Sequence, residues 1–277
     1  MKLYKTREGV FFSVDALFYR SPEQNWDTLL CRDDAKQFLS RHISSSTPLA
    51  TFSLEKAILQ APIQSQEVWA AGVTYLRSKS ARMDESKETG GATFYDKVYD
   101  AERPELFFKA TPHRVVGSGQ SVRIRKDSTW NVPEPELTLV LTPSGKMIGY
   151  TVGNDMSSRS IEGENPLYLP QAKIYAQSCA LGPAIFLTDE PIPADTKIQL
   201  MIVRNQKCVF NDSIAFSQIK RKPQELAAYL FRDNSFPFGC FLMTGTGLVP
   251  GNDFTLEIGD EIHITIDAVG TLKNTVS

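Results

Sequence analysis

Glu134, Glu136 and Asp155 are the residues whose types and spacing point most directly to chemistry. The two glutamates stand in Asn131-Val132-Pro133-Glu134-Pro135-Glu136-Leu137-Thr138-Leu139-Val140-Leu141, where polar and apolar residues alternate as on a strand with one buried face. Glu134, Glu136, Thr138 and Val140 share one side, and Leu137, Leu139 and Leu141 the other. Pro143-Ser144-Gly145-Lys146 reads as a turn. Antiparallel return through Gly149-Tyr150-Thr151-Val152-Gly153-Asn154-Asp155 sets Glu134 opposite Asp155 and Glu136 opposite Gly153. Directly opposed Cβ atoms lie about 5 Å apart. Three carboxylates therefore converge, and the glycine is expected to leave room beside them. Carboxylates so close repel unless something neutralises them. A hard divalent cation does so, and an all-oxygen set suits Mg²⁺, with Mn²⁺ or Ca²⁺ as alternatives, rather than zinc. The competing reading is the solvated face of an exposed hairpin.

The rest of the chain must supply a scaffold for this hairpin. Its 277 residues are enough to bury a sizeable core, and 42% hydrophobic with 22% charged residues is ordinary for a globular protein. A net charge of −2 leaves no electrostatic footprint for nucleic acid or an anionic membrane. No apolar run approaches the roughly 20 residues of a membrane span, and the start of the chain leads into no signal core, so a cytoplasmic location is expected. Cys31, Cys179, Cys208 and Cys240 are scattered and form no C-x-x-C pair, which speaks for reduced thiols. His42, His113 and His263 are isolated, so a Ser-His-Asp or Cys-His machine is disfavoured.

Strand signals with Gly/Pro turns dominate from Val68 onward: Val68–Val73, Leu106–Lys109, Ile198–Val203, Phe254–Glu257 and a final strand through Ile266. Helices are expected after Asp33-Asp34, with those acids in the first turn, and over Pro223–Leu230. The charged stretch from Ser78 to Asp100 reads as an exposed helix pair or a lid. Residues 1–64 look like a small N-terminal domain and 65–277 like the catalytic one. The fold class is α+β, mostly β; strands and helices do not alternate regularly, which disfavours a doubly wound sheet.

Several collinear segments between about 68 and 277 resemble the fumarylacetoacetate hydrolase superfamily: Ala71-Gly72-Val73-Thr74-Tyr75, Pro104–Lys109, Glu134-Pro135-Glu136-Leu137, Gly149–Arg159, Gln171-Ala172-Lys173, Leu181-Gly182-Pro183, Thr244-Gly245-Thr246-Gly247 and Gly270-Thr271-Leu272. The resemblance implies a mixed β-sandwich roll, a homodimer or homotetramer, and a divalent cation held by Glu134, Glu136 and Asp155. The hydrolases of that superfamily carry a histidine and a glutamate that activate water; here Ser78 and Ala81 stand in their places, and Thr74 replaces an asparagine. The general base for hydrolytic carbon–carbon cleavage is thus missing. Asn131–Glu136 and Ile161–Tyr175 are similar to the 2-keto-3-deoxy-sugar-acid dehydratase branch. That implies loss of water from a 2-keto-3-deoxypentonate to give 2,5-dioxopentanoate, with Mg²⁺ chelating the C1 carboxylate and C2 oxygen.

Within that frame Lys173 either removes a C3 proton or stays charged and pairs with the substrate carboxylate. Glu105 either protonates the departing C4 hydroxyl or pairs with Lys109 or Arg103. Lys109 either neutralises the carboxylates or touches substrate. Thr244, Gly245 and Thr246 form a turn able to grip an anionic or hydroxylated ligand. Arg82, with Glu85, lies in the possible lid, and Arg159 is placed to orient carboxylates. Phe107, Phe108, Tyr150 and Tyr175 read as core. Two other functions remain open: hydrolysis, decarboxylation or isomerisation of acylpyruvate-type compounds, and binding of a sugar acid to a metal-containing scaffold without catalysis.

Overall fold

A computed structural model describes residues 1–78 and 92–277, the side chains of 92–95 aside. Arg82, Glu85 and Ala81 therefore lie outside the described residues. The chain opens with β1 (Lys2–Thr6), β2 (Gly9–Val14) and β3 (Leu17–Arg20), then helices α1 (Trp26–Leu30) and α2 (Ala35–Ile43). Next come β4 (Glu67–Gly72), α3 (Ala92–Asp100), β5 (Glu105–Ala110) and the short β6 (Val115–Val116), β7 (Ser121–Val122) and β8 (Asn131–Val132). The central hairpin is β9 (Pro135–Leu141) and β10 (Met147–Asp155). It is followed by β11 (Ser157–Ser158), α4 (Arg159–Glu164), α5 (Leu169–Lys173) and β12 (Cys179–Leu187). The last third holds β13 (Lys197–Arg204), β14 (Lys207–Ala215), α6 (Pro223–Leu230), β15 (Cys240–Met243), β16 (Glu261–Ile266) and β17 (Gly270–Val276).

A ten-stranded sheet runs β3-β2-β1-β12-β10-β9-β15-β4-β5, with β6 added beside β12; a five-stranded sheet runs β14-β13-β16-β17-β7. In a flat sheet β5 would lie about 19 Å from β10, four strand spacings away. Yet the Lys109 side chain of β5 touches Asp155 at the end of β10. The large sheet therefore rolls toward itself, and this roll gathers residues from distant strands at one place.

Apolar packing covers both faces of the roll. Leu137, Leu139 and Leu141 join Ile198, Leu200, Ile262 and Ile264 in the core between the two sheets. Val140 joins Val68, Phe241, Trp26, Leu29 and Leu39 on the other side, beneath α1 and α2. The alternation along β9 thus sorts residues between two buried layers, whereas the sequence suggested one buried face; all seven residues of β9 are buried. Residues 1–64 continue the same sheet, since Lys2 of β1 pairs with Phe186 of β12.

Two local expectations need correction. Asp33 and Asp34 precede α2 rather than sit in its first turn, Asp34 being its N-cap position. Phe254–Glu257 forms a loop held by scattered bonds, Leu256 N to Asn131 O and Arg204 Nη2 to Thr255 O among them, rather than by a ladder, and the sheet gains β17 instead.

Candidate active site

The hairpin pairs as its sequence pattern requires. Gly153 lies opposite Glu136 and Asn154 opposite Pro135, and the Asp155 backbone N–H donates to Glu134 O at 3.0 Å. Glu134, Glu136 and Asp155 each offer an oxygen within 4.8 Å of the others. They are 4%, 1% and 0% exposed, which removes the solvated-hairpin reading. The room foreseen beside Gly153 is already filled: a Cβ there would run into Thr138 Oγ1 and Met243. This glycine serves packing, not ligand access.

Three buried cations face the carboxylates. Lys173, at the end of α5, sets its Nζ 2.7 Å from Glu134 Oε2, 3.0 Å from Asp155 Oδ2 and 2.6 Å from Ser157 Oγ. Its three N–H donors thus have three acceptors. Lys109 approaches from beneath; its Nζ lies 2.5 Å from Asp155 Oδ1 and donates to the carbonyls of Met156 and Lys173. Of its two possible roles, neutralising the cluster is the one this geometry supports. Arg159, at the start of α4, holds Glu134 Oε1 at 2.7 Å and Glu162 Oε2 at 3.3 Å. Burying a carboxylate costs several kcal/mol unless it is paired, and these ion pairs make the burial of Glu134 and Asp155 tolerable.

Glu136 is different. It receives the Gly245 backbone N–H at 2.5 Å and, among the described residues, makes no ion pair. Burial, with the charges of Asp155 and Glu134 adding to it, pushes its carboxyl well above the usual carboxylate range. Gly245 has φ +91°, and a Cβ there would meet Thr74 Oγ1 and the Ala71 carbonyl, so glycine is needed for this N–H to reach Glu136. Thr244 turns away from the cavity, its hydroxyl donating to Leu137 O at 2.9 Å. Thr246 and Gly245 do line the cavity.

That cavity has a volume of about 10 Å³ and is bounded by the trio, Lys173, Arg159, Ala71, Gly72, Val73, Ser78 and Phe107 as well. That is room for about one water molecule, a tight niche around the carboxylates. Glu105 pairs with Gly72 across β4 and β5, and its carboxyl group lies where a Cβ on Gly72 would be. The bare glycine thus leaves Glu105 beside the cavity wall. Arg103 lies over the Tyr229 ring, and Lys109 is engaged with Asp155. Phe107 was read as core, but it lines the cavity with its ring centroid 5.7 Å from Lys173 Nζ. Ser157 was not singled out at all. The only signal for it was its place two residues after Asp155.

The hydrolytic dyad positions contain no histidine. Ser78 Oγ donates to Tyr75 O at 2.7 Å, and Thr74 Oγ1 donates to Thr244 O at 2.7 Å. Cys179, which pairs with Asp155 across β10 and β12, is no nucleophile: burial pushes its thiol up to about 12.

Three buried carboxyl groups, all oxygen, with Glu136 in no ion pair among the described residues, match the donor set of a hard divalent ion. The residues present therefore fit a metal of the Mg²⁺ type.

A rolled β structure with this acidic cluster is that of the fumarylacetoacetate hydrolase family, and the chain belongs to it: the family profile described as "Fumarylacetoacetate (FAA) hydrolase C-terminal" matches residues 68–277. Among relatives, the chain is 41% identical to 2-dehydro-3-deoxy-D-arabinonate dehydratase of Saccharolobus solfataricus, over 98% of this chain and 95% of that protein. It is 48% identical to a probable 2-keto-3-deoxyxylonate dehydratase of Haloferax volcanii, over 78% of this chain and 74% of the relative. Among solved structures, it superposes with a TM-score of 0.85 on 2-keto-3-deoxy-D-arabinonate dehydratase complexed with magnesium and 2,5-dioxopentanoate, at 37% identity, covering 100% of this chain and 99% of that one.

Proposed function

We propose that this chain is a magnesium-dependent dehydratase of a 2-keto-3-deoxy sugar acid, converting a 2-dehydro-3-deoxypentonate to 2,5-dioxopentanoate and water. The observation that carries the reading is the buried Glu134–Glu136–Asp155 cluster with Lys173 against it, in a chain this similar to dehydratases of that substrate class. The three carboxylates would hold the ion. Bound there, Mg²⁺ supplies the Lewis acidity that makes the C3 protons of a chelated 2-keto acid removable.

In this proposal the residues of the chain do the rest. Lys173, in its neutral amine form, takes the proton from C3. Glu105 gives a proton to the C4 hydroxyl as the C4–O bond breaks and water leaves. Transfer of a proton from C5 to C3 then gives the C4=C5 enol, and movement of the enol O–H proton to C4 gives the C5 aldehyde. Thr246 and Gly245 contact the substrate from the cavity wall, while Thr244 shapes their turn. Arg82 remains a substrate contact on the strength of the sequence alone. Ala71, Val73 and Phe107 give the cavity apolar walls that keep bulk water from the reacting carbon.

The proposal includes a small N-terminal domain over 1–64 beside a catalytic domain over 65–277, a homodimer or homotetramer, and a cytoplasmic location. The family resemblance supports the assembly. For the location, no helix among the described residues is long and apolar enough to cross a membrane. Light scattering on the purified protein tests the assembly. The activity is tested by incubating the protein with Mg²⁺ and 2-keto-3-deoxyarabinonate. A semialdehyde product is expected; no turnover across five- and six-carbon 2-keto-3-deoxy acids would reject the reading.

A further inference from the structure

We infer that Arg221 is a positioning residue for the proposed dehydration: it fixes the main chain that runs into β5, and so sets the Glu105 carboxyl at the wall of the active site. The inference rests on Glu105 being the proton donor to the C4 hydroxyl. Arg221 lies just ahead of α6 and is buried, 7% exposed. Its Nη1 donates to the Glu102 carbonyl at 3.1 Å and to Glu225 Oε1, in the first turn of α6, at 2.7 Å. Its Nη2 donates to the carbonyls of Val98, at 3.2 Å, and of Ala101. Every N–H on the two terminal nitrogens therefore has an acceptor. The three carbonyls lie at or just past the end of α3, where carbonyls lack partners within the helix and a cation is favoured. Glu105 follows shortly after the last of them, at the start of β5.

The neighbours of Arg221 reach the other side of the site. Lys220 Nζ donates to the Tyr99 carbonyl at 2.7 Å and pairs with Asp100. The Lys220 backbone N–H donates to Thr74 O at 2.9 Å, and Ile219 pairs with Tyr75. Residues 219–221 thus strap the chain leaving β4 to the chain entering β5. Gly72 and Val73, on the first, bound the cavity, and Glu105, on the second, pairs with Gly72. A guanidinium is planar and its donors are fixed relative to one another, so its bonds define both the place and the tilt of the segment it holds. The grip is on main chain: it sets where β5 begins, and the β4–β5 ladder carries that setting to Glu105. Proton transfer needs heavy atoms about 2.6–3.2 Å apart, and a misplacement of about 1 Å can cost roughly 10²-fold in rate.

The experiment is a double-mutant cycle on the turnover of 2-keto-3-deoxyarabinonate at saturating Mg²⁺. Glu105→Gln is expected to lower kcat by about 10²-fold or more. Arg221→Gln is expected to lower it by about 10–100-fold with KM nearly unchanged. In the Glu105→Gln background, Arg221→Gln is expected to cost less than about threefold more, because a residue that acts through Glu105 has nothing left to position. A merely structural role gives losses that multiply, and that result overturns the inference, as does an unchanged kcat in Arg221→Gln. The second readout is fluoride release from the 4-fluoro analogue of the substrate, whose leaving group needs less help from an acid. Both single variants are expected to run within about tenfold closer to wild type on it than on the natural substrate; an undiminished defect in Arg221→Gln overturns the inference. Circular dichroism checks that each variant is folded. If Arg221→Gln does not fold, Lys220→Gln carries the same cycle with a smaller loss. Wild-type turnover in Glu105→Gln sinks the reading of Glu105 as the acid, and the inference with it. A defect in Glu105→Gln combined with losses that multiply sinks the inference alone.

Discussion

The two ends of the β9–β10 hairpin each place carboxylates against hydroxyls and cations, with opposite results. At the turn, Asp33 reaches across from the segment before α2. It accepts from Thr142 Oγ1 at 2.5 Å and Ser144 Oγ at 2.8 Å, and Lys146 Nζ donates to its carbonyl at 2.7 Å. This carboxylate is exposed, and the hydroxyl of Thr142 above all holds it below the usual range. At the open end Glu136 is buried, bonded to one backbone N–H, and held well above that range. The same functional group is an inexpensive anchor where water helps solvate it and a strained, cation-seeking group where water is excluded. That contrast is why the open end, and not the turn, is the place for a metal.

The largest effect is expected from removing a ligand at the open end. Glu136→Gln keeps the shape but withdraws a negative oxygen, and dehydratase turnover is expected to fall by about 10³ or more, in line with the loss of electrostatic stabilisation at a reacting centre. Steady-state kinetics with saturating Mg²⁺ measures it, and near-wild-type turnover would place the chemistry elsewhere. Arg159→Lys keeps the charge but loses the fork that joins Glu134 to Glu162. A drop of about 10–100-fold in Mg²⁺ affinity or activity is expected, as for other groups that orient ligands, with the melting temperature nearly unchanged when Mg²⁺ is present. Gly245→Ala forces a Cβ into Thr74 and the Ala71 carbonyl at positive φ; a loss of about 1–3 kcal/mol in denaturant unfolding is expected. At the turn, Asp33→Asn is expected to cost no more than about 1 kcal/mol and to leave kinetics untouched.

The pH dependence of stability sharpens the comparison, because the two shifts carry opposite signs. The folded-state pKa of Asp33 is lowered, so its contribution is present above the unfolded value, about 3.8, and is lost as pH falls through the folded one. Wild-type stability is then expected to converge on that of Asp33→Asn in acid. For Glu136 in chelator the folded value is raised, so its contribution is present below the unfolded value and is lost as pH rises through the folded one. Metal-free wild type is therefore expected to lose stability relative to Glu136→Gln as pH rises. Denaturant titrations of the three proteins across acid to neutral pH check both signs, and parallel curves would remove the contrast.

The site was legible in the sequence where it depends on local pattern. Alternation and a short Pro-Ser-Gly-Lys turn narrow the register, and although it shifts by one between Met147 and Gly149, the open end pairs Glu136 with Gly153 as the spacing implied. What spacing does not carry is the roll of the sheet. Lys109 meets Asp155 because β5 curls back toward β10, and Phe107 faces the cavity for the same reason. Neither fact has a local signature, and an aromatic residue on an apolar strand reads as core. Ser157 was invisible because a serine near a strand end is commonplace; only the position of Lys173 gives it meaning. The loop over Phe254–Glu257 shows the converse failure: its apolar alternation is strand-like, yet it is held by scattered bonds such as Leu256 N to Asn131 O rather than by a ladder.

The most direct test of the account is anomalous diffraction from crystals soaked in Mn²⁺. A single strong peak is expected within bonding distance of carboxylate oxygens from Glu134, Glu136 and Asp155 together. A cluster that stays free of anomalous density at saturating Mn²⁺, or a peak bound by other residues, would contradict it.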